Sequence, residues 1–105
     1  MKLFTFLLTL VLVGVAQGET YTVNQNGTAD FTTIQGAIQA ANTGDEIEVA
    51  PGTYVENISF LGRDIVLRSR DGANVTTIKS ASNDYAIEIQ FNETESTVID
   101  GFTFN

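Results

Sequence analysis

The chain has 105 residues, contains no cysteine, histidine or tryptophan, and carries a formal charge of −8 at pH 7. A chain of this length forms one small domain at most. The acidic balance argues against nucleic acid or an anionic membrane as a partner. The absence of Cys and His excludes disulfides and removes the usual metal ligands and nucleophile–base pairs. Stability must therefore come from packing between elements, or from further chain.

Residues 1–18 have the layout of a secretory signal peptide. Lys2 supplies the positive start, an apolar run follows, and Ala16-Gln17-Gly18 places small residues at the −3 and −1 positions. The apolar run of about 14 residues is short for a membrane span, which needs about 20. An uncleaved anchor or a buried strand is the alternative. Cleavage predicts a secreted or extracellular protein, periplasmic or at the cell surface in a bacterium, with no membrane contact afterwards. The mature chain has four basic and thirteen acidic residues, a formal charge of −9.

Residues 19–44 predict an N-terminal strand and a capping helix. The strand alternates around Tyr21 and Val23, and turn-forming residues follow. Thr32 and Gln35 fit a capping box at the start of a helix. One apolar stripe then recurs at i, i+3, i+4 and i+7: Ile34, Ala37, Ile38 and Ala41. A helix of about ten residues does not persist alone in water, so it is expected to lie on an apolar surface.

Residues 45–105 alternate with a period of two, which predicts a series of short strands. Two sets of inward residues recur about every 20 residues. They are Ile47, Ile65 and Ile87 in one set, and Ile58, Ile78 and Ile99 in the other. Two interleaved series at this spacing are typical of a solenoid of stacked coils, here incomplete. A sandwich of hairpins is the alternative, because the strands also recur at the spacing of 8–12 residues that hairpins show.

The stretch NGTADFTTIQGAIQAANTGDEIEVAPGTYVENISF, residues 26–60, resembles the amino-terminal part of secreted pectin-lyase-like proteins. Its opening is similar to the start of pectinesterases. Residues 44–58 and the closing TVIDGFTF look more like the broader group of these proteins, of mixed or unknown activity. The resemblance implies an all-β fold: a right-handed parallel β-helix (solenoid) of about three coils, with an N-terminal capping α-helix, truncated at its C-terminus.

The resemblance implies a function related to carbohydrate-active enzymes. The chain would be the amino-terminal portion of a pectin or uronate polysaccharide lyase or esterase, with a polysaccharide as partner. The family's catalytic residues lie in later coils, so no catalytic residue is assigned and enzymatic activity stays open. The alternative is a non-catalytic β-solenoid surface or sugar-binding protein. A third hypothesis is a fragment, whose open C-terminal coil around Phe102 and Phe104 would favour self-association.

Charged residues occupy outward positions of the predicted strands. The predicted neighbours are Glu48 with Val66 and Glu88, Glu46 with Asp64, and Arg68 with Gln90. Facing carboxylates could bind Ca²⁺, with a solvated acidic face as the alternative, and no residue is assigned to a metal site. Arg68 and Arg70 share a face and could hold a sugar carboxylate, or serve as solubilising charges.

Four Asn-x-Ser/Thr sequons are candidate N-glycosylation sites. Their asparagines are Asn26, Asn57, Asn74 and Asn92. None has proline in the middle position, so each is a possible acceptor in a secreted protein. The alternative is that Asn and Thr occur here because they favour turns.

Overall fold

The computed structural model describes residues 18–89 and 96–105. The predicted signal peptide lies outside the described residues except for Gly18, as do Gln90, Phe91 and Asn92. One helix and nine strands occur within the described ranges. They are β1 (Thr20–Val23), α1 (Ile34–Ala40), β2 (Glu46–Val49), β3 (Gly52–Val55), β4 (Ile58–Ser59), β5 (Val66–Ser69), β6 (Thr76–Lys79), β7 (Ile87–Glu88), β8 (Val98–Asp100) and β9 (Thr103–Phe104).

The described strands form three small parallel sheets. The four-stranded sheet has the order β1-β2-β5-β8, the three-stranded sheet β3-β6-β9, and the third pairs β4 with β7. Strands that follow one another in the chain from β2 to β9 lie in different sheets. Neighbours within a sheet are therefore distant in sequence: Ile47 lies opposite Leu67, and Tyr54 opposite Ile78. This register depends on the length of the chain between paired strands.

The predicted fold class, an all-β right-handed parallel β-helix of about three coils truncated at its C-terminus, is wrong. The described strands form three separate sheets of four, three and two strands beside one helix, instead of two interleaved series of coils. The two predicted columns of isoleucines do not form, because Ile47 pairs with Leu67 and Ile87 pairs with Ile58. Equal spacing indicated which residues are buried but not which strands pair. The alternative hairpin sandwich is also wrong, since the pairings between described strands are parallel.

One hydrophobic core is shared by the helix and the sheets. Its fully buried members include Ile34, Ile38, Ile47, Tyr54, Ile58, Phe60, Ile65, Leu67 and Ile78. Each such side chain contributes about 1.5–3 kcal/mol relative to an exposed one. The predicted inward alternation is thus confirmed from β2 to β6. The predicted inward residues Ile87 and Ile99 pack against the core but are only partly buried.

Helix α1 begins with three interactions that satisfy its first backbone N–H groups. Thr33 is the N-cap, and its hydroxyl accepts a hydrogen bond from the Gly36 N–H at 3.1 Å. The Glu56 carboxylate accepts from the N–H groups of Ile34 and Gln35 at 2.9 and 3.0 Å. Because the first turn of a helix leaves N–H groups without partners, the segment after β3 completes the helix start.

The predicted capping box is wrong, although the predicted apolar stripe is confirmed. The cap lies one residue later than Thr32, and the Gln35 side chain binds the backbone of Ser59 instead of the cap. Ile34, Ala37, Ile38 and Ala41 are all buried. The helix therefore packs on the core through the predicted face. It is seven residues long, shorter than the predicted length of about ten.

Two charged side chains stabilise the region where α1 ends. Arg63 donates to the carbonyl of Ile38 at 2.8 Å, which also accepts from the Ala41 N–H at 3.1 Å. Buried Asp45 accepts from the N–H of Asn42 at 2.7 Å. Among the residues described, no helix has the length and apolar character that crossing a bilayer requires.

Candidate functional site

Charged side chains meet on the outer surface of the four-stranded sheet, on a patch termed the ion-pair face (Glu46, Glu48, Arg68 and Asp100). Arg68 forms an ion pair with Glu46, and its Nη2 lies 3.6 Å from the Glu48 carboxylate. Asp100 lies opposite Arg68 on β8. The hydrogen bond and charge of Glu46, followed by the charges of Glu48 and Asp100, raise the pKa of Arg68 above its ordinary value. The guanidinium therefore pairs with two carboxylates, those of Glu46 and Glu48, while Asp100 adds negative charge nearby.

The ion-pair face corrects the predicted outward neighbours. Glu48 lies opposite Arg68, Glu46 opposite Val66, and Glu88 opposite Ser59. A cation side chain thus lies where facing carboxylates had been expected, and the geometry suggested for Ca²⁺ does not form. Among the described residues, no group of three or more His, Cys, Asp or Glu side chains could hold a metal ion.

A pocket of about 220 Å³ opens at the carboxyl ends of β1, β2 and β5. Thr22, Asn24 and Thr28 contribute polar groups from β1 and the turn that follows it, and Glu48 and Arg70 contribute opposite charges. Arg70 is about half exposed, and its Nε donates to the Asp71 carboxylate at 3.0 Å. The pocket therefore offers hydroxyl, amide, carboxylate and guanidinium groups to a small polar ligand.

The two arginines considered for a sugar carboxylate have different surroundings. Arg68 is engaged by carboxylates of the ion-pair face, whereas Arg70 lines the pocket. Glu48 and Arg70, which lie 22 residues apart in the sequence, meet there only because β2 and β5 are neighbours. The sequence contains no local signal for this pair, and the predicted register did not place the two together.

The sequon at Asn26 lies in the exposed turn after β1. Asn26 and Thr28 are both exposed. The Asn26 Oδ1 atom accepts hydrogen bonds from the Thr28 N–H at 3.0 Å and from the Thr28 hydroxyl at 2.6 Å. No described residue accepts a hydrogen bond from the Asn26 amide nitrogen. Gly27, with φ of 84°, allows the chain to turn between the two sequon residues.

The side chain of Asn57 instead holds a neighbouring loop. Its Nδ2 donates to the Ser82 hydroxyl at 2.6 Å, and its Oδ1 accepts from the Ala81 N–H at 2.9 Å and the Ser80 hydroxyl at 3.1 Å. Both ends of the amide are therefore used by residues 80–82. This structural use was missed from the sequence, since it joins residues more than 20 positions apart.

Of the two other sequons, the one at Asn74 is described by the structure and the one at Asn92 is not. Asn74 is exposed, but Thr76 of the same sequon is fully buried within β6. The Thr76 hydroxyl has no hydrogen-bond partner among the residues that the structure describes. Asn92 lies outside the described residues.

Apolar side chains are exposed near the last two strands. β8 pairs with β5 and β9 with β6, and no described strand covers the other edge of either. Val98 is 41% and Phe104 50% exposed, and the Phe102 and Phe104 rings lie 6.4 Å apart. An uncovered edge with apolar side chains is a surface on which another strand can pair.

No known protein-family profile matches the chain. The chain is 34% identical over 94 residues to a cell surface glycoprotein of Methanothermus fervidus (strain ATCC 43054 / DSM 2088 / JCM 10308 / V24 S). The match covers 84% of this chain and 16% of that protein, so the chain spans a small part of the relative's length. Membership of the pectin-lyase-like superfamily stays a prediction.

Proposed function

We propose that this chain is an extracellular segment of a cell-surface protein, in which it has a structural and not a catalytic role. The observation that carries the proposal is the 34% identity, over most of the chain, with a protein named as a cell surface glycoprotein. The amino-terminal sequence, with the layout of a secretory leader, supports the same location.

The described geometry supports the structural part of the proposal. The charged groups of the ion-pair face bind one another, with Arg68 between Glu46 and Glu48. The segments between strands are also tied to distant elements, as Glu56 is to α1 and Asn57 to residues 80–82. Such contacts hold the surface in one conformation and suit a segment that maintains a fixed shape.

Surface labelling of intact cells tests the proposed location. The chain, with its leader and a C-terminal tag, is expected to react with a membrane-impermeant biotin reagent and to be removed by external protease. A matched variant without residues 2–18 should remain inside and unlabelled. Full-length chain that stays inside the cell would contradict the proposal.

Sugar binding is a second candidate function, favoured by the pocket that contains Arg70 and Glu48. The guanidinium could pair with the carboxylate of a uronate while the Thr and Asn groups bind its hydroxyls. Titration with oligogalacturonate should shift backbone NMR signals around the pocket. Arg70→Gln should remove these shifts, whereas Lys79→Gln, which removes the same charge from β6, should not. Equal shifts in both variants would exclude this site.

The relation to pectin and uronate lyases or esterases stays a prediction. Its test is turnover of pectin and alginate by the mature chain, with and without Ca²⁺. Product formation would replace the proposed structural role with a catalytic one.

A further inference from the structure

The described sequons differ in whether their reacting groups are accessible in the folded chain. N-glycosylation joins a sugar to the Asn amide nitrogen within Asn-x-Ser/Thr. A transferase acting on a folded protein must reach that nitrogen and accommodate the sequon backbone and hydroxyl. Groups that are buried or held by hydrogen bonds first require local opening of the structure.

The Asn57 sequon is not free to react in the folded chain. Its amide nitrogen donates to Ser82, and its carbonyl oxygen holds Ser80 and Ala81. The next residue, Ile58, is fully buried in the core and belongs to β4. Transfer to Asn57 would therefore require release of the loop at residues 80–82 and movement of a core strand.

The Asn74 sequon is inaccessible to a transferase for a different reason. Its side chain is exposed, but the hydroxyl-bearing Thr76 is fully buried and begins β6, which lies between β3 and β9. A transferase could contact the Thr76 hydroxyl only after this central strand had opened.

The Asn26 sequon meets the requirement without opening of a strand or loop, because the hydrogen bonds that hold its threonine lie within the sequon itself. Asn26, Gly27 and Thr28 are all exposed and lie outside the strands and the helix. The hydrogen bonds that Asn26 makes through its side chain come from Thr28 and use Oδ1, so no described residue engages Nδ2.

We propose that Asn26 is the N-glycan acceptor of the folded chain, and that Asn57 and Asn74 are acceptors only before folding. The inference rests on the proposed extracellular location and adds a modification site to it. In the reaction, Nδ2 forms a bond to C1 of a lipid phosphate-linked oligosaccharide. The C1–O bond to the phosphate breaks, the lipid phosphate leaves with the electron pair, and Nδ2 loses a proton to a base.

The test compares folded and unfolded acceptors in the Asn92→Gln background, so that only the three described sequons compete. The folded full chain and its protease digest are each incubated with an oligosaccharyltransferase and a lipid-linked oligosaccharide. Glycopeptides are then quantified by mass spectrometry. In the folded chain, occupancy of Asn26 should exceed that of Asn57 and Asn74 by at least about tenfold, because the latter need local opening. In the digest, this preference should disappear.

Matched variants assign the modification. Asn26→Gln and Thr28→Ala should each abolish glycosylation of the folded chain, whereas Asn57→Gln and Asn74→Gln should leave it unchanged. Equal or greater occupancy of Asn57 or Asn74 in the folded chain overturns the inference, as does failure to modify Asn26 in either form. A preference for Asn26 that persists in the digest would also overturn it, because the fold would not be its cause. None of these results alters the surface-labelling test, so the two proposals fail separately.

Discussion

The Gln35 side chain pairs with the backbone of Ser59 through both of its amide atoms. Its Nε2 donates to the Ser59 carbonyl at 3.1 Å, and its Oε1 accepts from the Ser59 N–H at 2.8 Å. The pair joins α1 to β4, which has a strand partner, β7, on the other side. The Gln35 side chain thus makes the two backbone hydrogen bonds that a neighbouring strand would otherwise make to Ser59.

Gln35→Ala should lower the free energy of unfolding by about 1–3 kcal/mol, because it leaves partly buried backbone groups of Ser59 without partners. Urea denaturation provides the measurement. Gln39→Ala, on the exposed side of the same helix, is the control for helix propensity. A loss no larger for Gln35→Ala than for the control would show that the pair does not stabilise the fold.

Tyr54→Phe should destabilise the protein at neutral pH by about 1 kcal/mol, the usual value of a neutral hydrogen bond. The fully buried Tyr54 donates its hydroxyl to the Ala50 carbonyl at 2.8 Å. Tyr21→Phe removes a tyrosine hydroxyl for which no described residue serves as a hydrogen-bond partner, so it is the matched control. Equal unfolding free energies for wild type and Tyr54→Phe would contradict this role of the hydroxyl.

The same variant should change the alkaline pH dependence of stability. Burial raises the pKa of the Tyr54 phenol, an effect that a hydrogen bond from the Gln25 backbone opposes. Above the unfolded-state pKa of about 10, the unfolded chain loses its phenolic proton while the folded chain retains it, so stability falls as pH rises. The advantage of the wild type over Tyr54→Phe should therefore shrink between about pH 9 and 11. An advantage that grows over this range would be incompatible with a raised pKa.

Thr76→Val should leave stability unchanged or raise it by up to about 1 kcal/mol. The Thr76 hydroxyl is buried with no hydrogen-bond partner in the described part of the chain, so replacing it with a methyl group removes a desolvated polar group at similar volume. Thr77→Val, on the opposite face of the same strand, controls for β propensity. Thermal unfolding would refute the prediction if Thr76→Val were clearly the more destabilising variant.

Arg68→Gln should lower the melting temperature most at low salt. The substitution leaves Glu46, Glu48 and Asp100 of the ion-pair face without the cation between them. Since salt screens exposed charges, the loss should shrink between about 0.05 M and 1 M NaCl. Lys79→Gln removes the same charge from an exposed residue that has no ion pair among the described residues. Identical salt dependence in both variants would mean that net charge alone is responsible.

Self-association through the C-terminal strands stays a prediction with a direct test. The uncovered edges of β8 and β9, with exposed Val98 and Phe104, should produce concentration-dependent oligomers in sedimentation velocity. Phe104→Lys should shift the chain toward monomer, whereas Val75→Lys, at an exposed valine outside the strands, should not. A wild-type chain that remains monomeric at high concentration would rule out this interface.

The buried face of each element could be predicted because it is encoded locally. Ile34, Ala37, Ile38 and Ala41 repeat with the helical period, and Ile47 and Val49 alternate with the strand period; all six are buried. The helix cap was misplaced by one residue because Thr32 and Thr33 are both suitable caps. The choice of Thr33 is favoured by Glu56, which lies beyond β3 and accepts hydrogen bonds from the first two N–H groups of the helix.

The candidate sites depend on register, which local patterns do not contain. Glu48 lies opposite Arg68 and not Val66, because β5 pairs with β2 two residues further along the chain than the alignment of Ile47 with Ile65 predicts. Beyond β5 lies β8 and not β7, so Glu88 is not in this sheet. The change in register placed a cation beside Glu48. It also placed Arg70 near Glu48 in the pocket.

The sequence by itself determined the acidic charge, the four sequons and most of the side chains that enter the core. Only the tertiary structure decided which strands pair, which carboxylates surround Arg68, and that Asn57 is engaged while Asn26 is exposed. The physical reason is the range of the interactions. Burial follows from the period of apolar residues within one element, whereas lateral pairing depends on turns of unequal length and on contacts between residues far apart in the chain.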